Sequence, residues 1–164
     1  MSLSNVEIIN LCKVYKLPLQ GVFMKDELKL VTPKQGFFIV NMQSSTEGNG
    51  THWTAVIFDH TRCFYFDSFG AEPALEVIAF IHRKSKKYAY NCKRIQDLSS
   101  DYCGWYCMAL AIYLKNHKGG DFYDHCNDFG DLFHVNTSKN DAQLEGFYRE
   151  FTKSNVITKK KLHY

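Results

Sequence analysis

The chain has 164 residues, 45% of them hydrophobic and 15% aromatic, and a net charge of +3. That size suits one ordinary domain able to bury its own core, the composition excludes a disordered chain, and so mild a basic excess permits nucleic-acid contact without implying it. No apolar run approaches the ~20 residues of a membrane span, and Met1-Ser2-Leu3-Ser4-Asn5-Val6-Glu7 lacks a basic segment followed by an apolar block, so a soluble, non-secreted protein with no membrane partner is expected.

Residues 4–16 read as a helix, with Val6, Ile8, Ile9, Leu11, Cys12 and Tyr15 on one side and Ser4 as cap. Residues 35–42 read as a buried strand. Residues 52–59 and 63–67 are rich in β-branched and aromatic side chains and flank Asp59-His60-Thr61-Arg62, the pattern of a β-hairpin. A helix over 72–84 follows, with Pro73 near its first turn, and then a strand over 88–95. Residues 104–115 are almost all apolar, which suits a helix buried on most sides; Gly119-Gly120 stops it and Asp101 or Ser100 caps its start. Phe122, Tyr123, Phe129 and Phe133 are expected to pack under a last helix over 141–154, beyond which a basic tail runs over about 156–164. There is no repeat and no linker. The expected fold is a single α+β domain over 1–164, an antiparallel-dominated mixed sheet packed with helices.

Six cysteines at irregular spacing (Cys12, Cys63, Cys92, Cys103, Cys107, Cys126) point to free thiols rather than a disulfide framework. Cys103 stands out, because it falls at the first turn of the apolar helix. A thiol is a strong nucleophile only as thiolate, which a helix N-terminus or a neighbouring imidazolium favours. His52 would take the thiol proton and later protonate a leaving amine. Asp67, on the neighbouring hairpin strand, would hold the other ring nitrogen. Gln96, seven residues before Cys103, would join the Cys103 N–H in stabilising an oxyanion. Each residue alone has a plainer reading: a core thiol, a packed His-Trp, a turn aspartate. Cys107, one helical turn beyond Cys103, reads as core; without a C-x-x-C pair or a spaced ligand quartet, no metal is expected. His60, His82, His125, His134 and His163 lack a companion pattern and read as surface residues.

His52-Trp53, Phe66-Asp67-Ser68-Phe69-Gly70, Gln96 and Cys103-Gly104 together resemble, in order and spacing, the signature of the adenain and Ulp1-like cysteine peptidases. Within that superfamily the chain most resembles the maturation proteases of adenoviruses, virophages and Polinton-type elements. Residues 20–28, Ile39-Val40-Asn41, Gly50-Thr51-His52-Trp53 and residues 140–147 carry the similarity, which runs from about 20 to 151. The resemblance implies a papain-like or adenain-like fold with the nucleophile at the N-terminus of its central helix. It implies His52 as general base, Asp67 as orienting carboxylate, Cys103 as nucleophile and Gln96 as oxyanion-hole donor. Trp53 and Gly104 would line the substrate channel, with core packing the rival reading of Trp53.

The same resemblance implies processing of viral capsid or core precursor proteins, with small residues such as glycine beside the scissile bond, in the virion and the infected cell. The chemistry requires no cofactor, and DNA or a short peptide would be activators by family resemblance. Adenovirus proteases bind their peptide through a cysteine upstream of the glutamine; Cys92 lies closer to Gln96 than that cysteine does, so its role is not transferred. An isopeptidase removing ubiquitin-like modifiers is the alternative, followed by an inactive interaction domain or an acetyltransferase. The sequence is silent on oligomeric state, and a monomer is the default expectation.

Overall fold

A computed structural model describes the backbone of residues 2–48 and 50–161, and side chains as far as residue 154. Helix α1 (Asn5–Val14) opens with a reciprocal cap: Ser4 Oγ accepts the Glu7 N–H, and the Glu7 carboxylate accepts the Ser4 N–H. Strand β1 (Leu19–Met24) follows, then a 3₁₀ turn over Lys25–Leu30, then β2 (Gly36–Asn41), β3 (Trp53–Asp59) and β4 (Arg62–Phe66). Helix α2 (Leu75–His82) leads to a short β5 (Ala89–Tyr90), and helices α3 (Cys103–Asn116), α4 (Phe122–Asp131) and α5 (Asn140–Lys161) complete the chain.

The strands form one sheet of five in the order β1-β2-β3-β4-β5. Its centre is antiparallel, β2 with β3 and β3 with β4, while both edges join in parallel. Each of the three central strands is buried on both faces, which explains why they read as continuous apolar runs rather than alternating ones. Phe37, Ile39, Ala55, Ile57, Phe64 and Phe66 face a core shared with α1, α3, α4 and α5. Phe38, Val40, Val56, Phe58, Cys63 and Tyr65 face a second core closed by α2 and the 3₁₀ turn. Among the described residues, no helix is long and apolar enough to cross a membrane.

The expected α+β architecture is present, with several local differences. The strand expected over 88–95 contracts to Ala89–Tyr90, because the residues after it curl to serve the site described below. Pro73 lies before the cap residue Ala74 rather than inside α2. Neither Asp101 nor Ser100 caps α3; its N-cap is Tyr102, which makes no side-chain cap bond. Strand β1 and helix α4 were not anticipated. Gln20 and Gly21 broke the apolar run in β1, and the acidic and glycine-containing sequence of α4 masked a buried stripe of Phe122, Cys126 and Phe129. Helix α5 carries the backbone into the expected basic tail, as far as Lys161. The basic cluster Arg83, Lys84, Lys86 and Lys87 is exposed after α2. His60, His82 and His134 are exposed, His125 is half-buried, and His163 lies outside the described residues.

Phe80 binds α2 to the sheet, its ring edge-on to Phe38 (5.1 Å) and Phe58 (5.8 Å). Phe80→Ala should lower unfolding free energy by about 3–5 kcal/mol, seen as an earlier urea midpoint at unchanged slope. A loss below about 1 kcal/mol would contradict this packing.

Candidate active site

The six residues singled out in the sequence converge at one end of the sheet. His52 immediately precedes β3, Asp67 immediately follows the adjacent β4, and Cys103 is the first residue of α3. His52 Nε2 lies 2.7 Å from Asp67 Oδ1. An ionised carboxylate only accepts, so Nε2 carries the proton and Nδ1 is the ring nitrogen left for Cys103. The His52 ring stacks on Phe69 at 4.6 Å between centroids, which fixes its plane.

The loop after β4 is shaped to hold the carboxylate. Asp67 Oδ1 also accepts the Phe69 N–H (2.8 Å), and the Asp67 carbonyl accepts the Gly70 N–H (2.8 Å). Gly70 has φ +75°, and a Cβ there would lie 2.9 Å from the Lys93 carbonyl carbon, so glycine is required on two counts. Asn91 grips the Asp67 backbone from the other side: its Oδ1 accepts the Asp67 N–H (3.0 Å) and its Nδ2 donates to the Asp67 carbonyl (2.5 Å). Sequence reasoning missed Asn91 because it sat inside an expected strand. The available signal was a lone amide after the aromatic run Tyr88-Ala89-Tyr90.

Upstream, Asn41 shapes the loop that delivers His52. Its Oδ1 accepts the Gln43 and Thr51 N–H groups, and Gly50, at φ +102°, passes so close that a Cβ would lie 2.7 Å from Asn41 Nδ2.

Cys103 is 4% exposed, and the Trp53 N–H points at its sulfur from 3.4 Å. As the first residue of α3, Cys103 has an N–H without an intrahelical acceptor, and the helix dipole favours negative charge there. No side-chain cap closes the start of α3. Burial pushes the Cys12 and Cys63 thiols up to about 12, and raises Cys107 and Cys126 as well. Cys107 is a core residue, its sulfur 3.5 Å from the Trp53 carbonyl. All six cysteines are free, and Cys92 is exposed.

Burial pulls the His52 imidazolium down, but hydrogen bonds to Asp67 and Cys103, reinforced by their charges, prevail and raise it to about 9. The arrangement therefore favours a charged imidazolium between the Asp67 carboxylate and the Cys103 sulfur.

Gln96 is fully buried. Its Oε1 accepts from Ser68 Oγ (2.5 Å), and its Nε2 donates to the Ser100 carbonyl (2.9 Å) and reaches Ser100 Oγ (3.2 Å). Ser68 is the neighbour of Asp67, and its carbonyl accepts the N–H groups of both Ile95 and Gln96. Trp53 is 5% exposed and donates its indole N–H to the Leu3 carbonyl (2.8 Å). A Cβ on Gly104 would lie 3.3 Å from Leu3 Cδ1 and 3.4 Å from Trp53 Cδ1. Trp53 and Gly104 thus sit together beside Cys103 under Leu3, a long-range contact with no local sequence signal.

The sequence matches no protein-family model and no curated protein. Among solved structures, the chain is similar to the crystal structure of ASFV pS273R protease, with TM-score 0.52 and 15% identity over 87% of this chain and 64% of that one. The central domain of Lpg1148 from Legionella pneumophila gives TM-score 0.49 and 14% identity over 94% of this chain and 98% of the domain. AvrA with IP6 and CoA gives 0.48 and 23% over 76% and 52%.

The likeness to pS273R lies in the fold: this chain shares the α+β architecture of that protease. It spans less than two thirds of pS273R, 64%.

Because His52 is raised from 6.5 to about 9 in the folded chain, its contribution to stability is full below the unfolded value and is lost as pH rises through about 9. NMR titration of His52 should show the high midpoint in the wild type and a lower one in Asp67→Asn. Titration of the wild-type ring near 6.5 would contradict the geometry.

Proposed function

We propose that the chain is a cysteine endopeptidase that processes viral structural precursor proteins. The observation that carries the reading is the convergence of Asp67, His52 and Cys103 in hydrogen-bonding order, with the His52–Asp67 contact at 2.7 Å. In this mechanism the Cys103 thiolate attacks the scissile carbonyl carbon, and the C=O π electrons move onto oxygen. The Cys103 N–H and the Gln96 amide stabilise that oxyanion, a contribution of about 3 kcal/mol for one donor. His52 gives its proton to the departing amine as the C–N bond breaks, leaving a thioester. It then deprotonates the water that hydrolyses the thioester, and the free carboxyl product leaves.

A preference for small residues such as glycine beside the scissile bond rests on motif resemblance, while Trp53 and Gly104 themselves are packed in the core against Leu3. Motif resemblance supports a place among the maturation proteases of adenoviruses, virophages and Polinton-type elements, acting in the virion and infected cell. The exposed basic cluster after α2 is a surface on which a DNA activator would act.

Profiling with a denatured-proteome peptide library, with and without DNA, should show cleavage by the wild type. Cys103→Ala should abolish it while leaving the unfolding curve in place. Cleavage retained by Cys103→Ala would overturn the proposal. Rapid release of a SUMO-type modifier from its C-terminal fusion, without library cleavage, would replace the endopeptidase reading with the isopeptidase one.

A further inference from the structure

The Gln96 amide does not stand alone. Ser100 Oγ lies 2.9 Å from Asp141 Oδ1, in the first turn of α5, and Tyr106 Oη, on α3, lies 2.9 Å from the same oxygen. A carboxylate accepts and does not donate, so the single Ser100 hydroxyl proton goes to Asp141. The Ser100 oxygen lone pairs are then turned toward the Tyr102 N–H (3.2 Å) and Gln96 Nε2 (3.2 Å). At the other end of the amide, Ser68 donates to Gln96 Oε1. One direction of donation thus runs through the whole chain, from Ser68 into the Gln96 oxygen and from the Gln96 nitrogen through Ser100 into Asp141.

The residue beside Asp141 secures the same loop. Asn140 is fully buried; its Nδ2 donates to the Ile95 carbonyl (2.8 Å) and the His134 carbonyl (2.9 Å), and its Oδ1 accepts the His134 N–H (2.8 Å). The start of α5 therefore holds the 95–102 segment at the residue before Gln96 and again at Ser100. Burial and then the Asp141 carboxylate push the Tyr106 phenol up, so it stays a donor to Asp141.

We propose that Asp141 is a positioning residue for oxyanion stabilisation, acting through Ser100 to keep the Gln96 amide nitrogen, rather than its oxygen, turned toward the start of α3. This deepens the peptidase reading and rests on Gln96 serving the oxyanion. Without the carboxylate, the Ser100 proton is free to rotate toward Gln96 and Tyr102, where it meets N–H groups. Ser100 then loses the anchor that holds its carbonyl and hydroxyl oxygens against Gln96 Nε2, and the amide loses its fixed orientation. Asp141 on α5 would thus be coupled to the Gln96 amide through the Ser100 hydroxyl, beside its direct bond from Tyr106 on α3.

The test compares two reactions of Cys103, each read on its own peptide by mass spectrometry. Acylation by p-nitrophenyl acetate forms the S–C bond and releases p-nitrophenolate with its electron pair, passing through an oxyanion. Alkylation by iodoacetamide displaces iodide and forms no oxyanion. Gln96→Ala should slow acylation by about 100-fold, and Asp141→Ala by about tenfold, with alkylation unchanged in both. Asp141→Asn, which keeps an acceptor for Ser100, should retain most of the acylation rate. Because Asp141 acts through Gln96, the double variant Gln96→Ala, Asp141→Ala should be no slower than Gln96→Ala alone.

Multiplying losses in the double variant, an unchanged acylation rate in Asp141→Ala, or a parallel fall in alkylation would each overturn the inference while leaving the peptidase reading intact. If Gln96→Ala itself acylates at the wild-type rate, the oxyanion role of Gln96 fails and the inference falls with it.

Discussion

The hydrogen bond between His52 and Asp67 depends on the register of two strands, and the rest of the site is built around it. In the β3–β4 ladder Ala55 faces Phe66 and Ile57 faces Phe64. Carried three residues past the last ladder pair, Ala55 with Phe66, that register sets His52 opposite Phe69, on which its ring stacks. Asp67 is then the diagonal neighbour of His52 on the same face, within reach of an imidazole and a carboxylate. A slip of one residue would turn every side chain of the strand to the other face. Burial of both faces makes such a slip costly, because each face contributes large side chains to its own core.

The third partner arrives by helix packing. Helix α3 lies against β3, with Tyr106, Cys107, Leu110 and Ala111 in the core and Cys103 at the mouth. Packing alone would make Cys103 one more buried thiol. Its difference lies in what it meets at the helix start: the Trp53 N–H and an imidazole held charged by Asp67. A buried imidazolium is stabilised only by partners that offset its lost hydration, and here the Asp67 carboxylate and the Cys103 sulfur both favour the charged ring.

How much of this was legible in the sequence follows from the range over which each signal acts. The hairpin, the apolar helix and the capped first helix are local patterns, and they appear near the expected positions. The motif Phe66-Asp67-Ser68-Phe69-Gly70 was legible as a motif, and the structure adds its reasons: an aspartate closing a turn, and a glycine that the 92–94 backbone presses against. Asn91, Ser100, Asp141 and Leu3 were not legible as site components. Each acts through hydrogen bonds or contacts spanning 24 to 50 residues of chain, and no periodicity encodes such pairings. The shortened β5 has the same origin, since Asn91 serves Asp67 instead of extending a ladder.

The central claim is that His52 activates Cys103 in the free protein, and the alkylation rate of Cys103 against pH tests it most directly. Site-resolved mass spectrometry separates Cys103 from the exposed Cys92. The account predicts that wild-type Cys103 stays reactive as pH falls from 8 to 6, and that His52→Ala slows it at pH 6 by at least about tenfold. If both proteins instead lose reactivity together, along the profile of a free thiol with a midpoint near about 8.5, the activated pair does not exist in this protein.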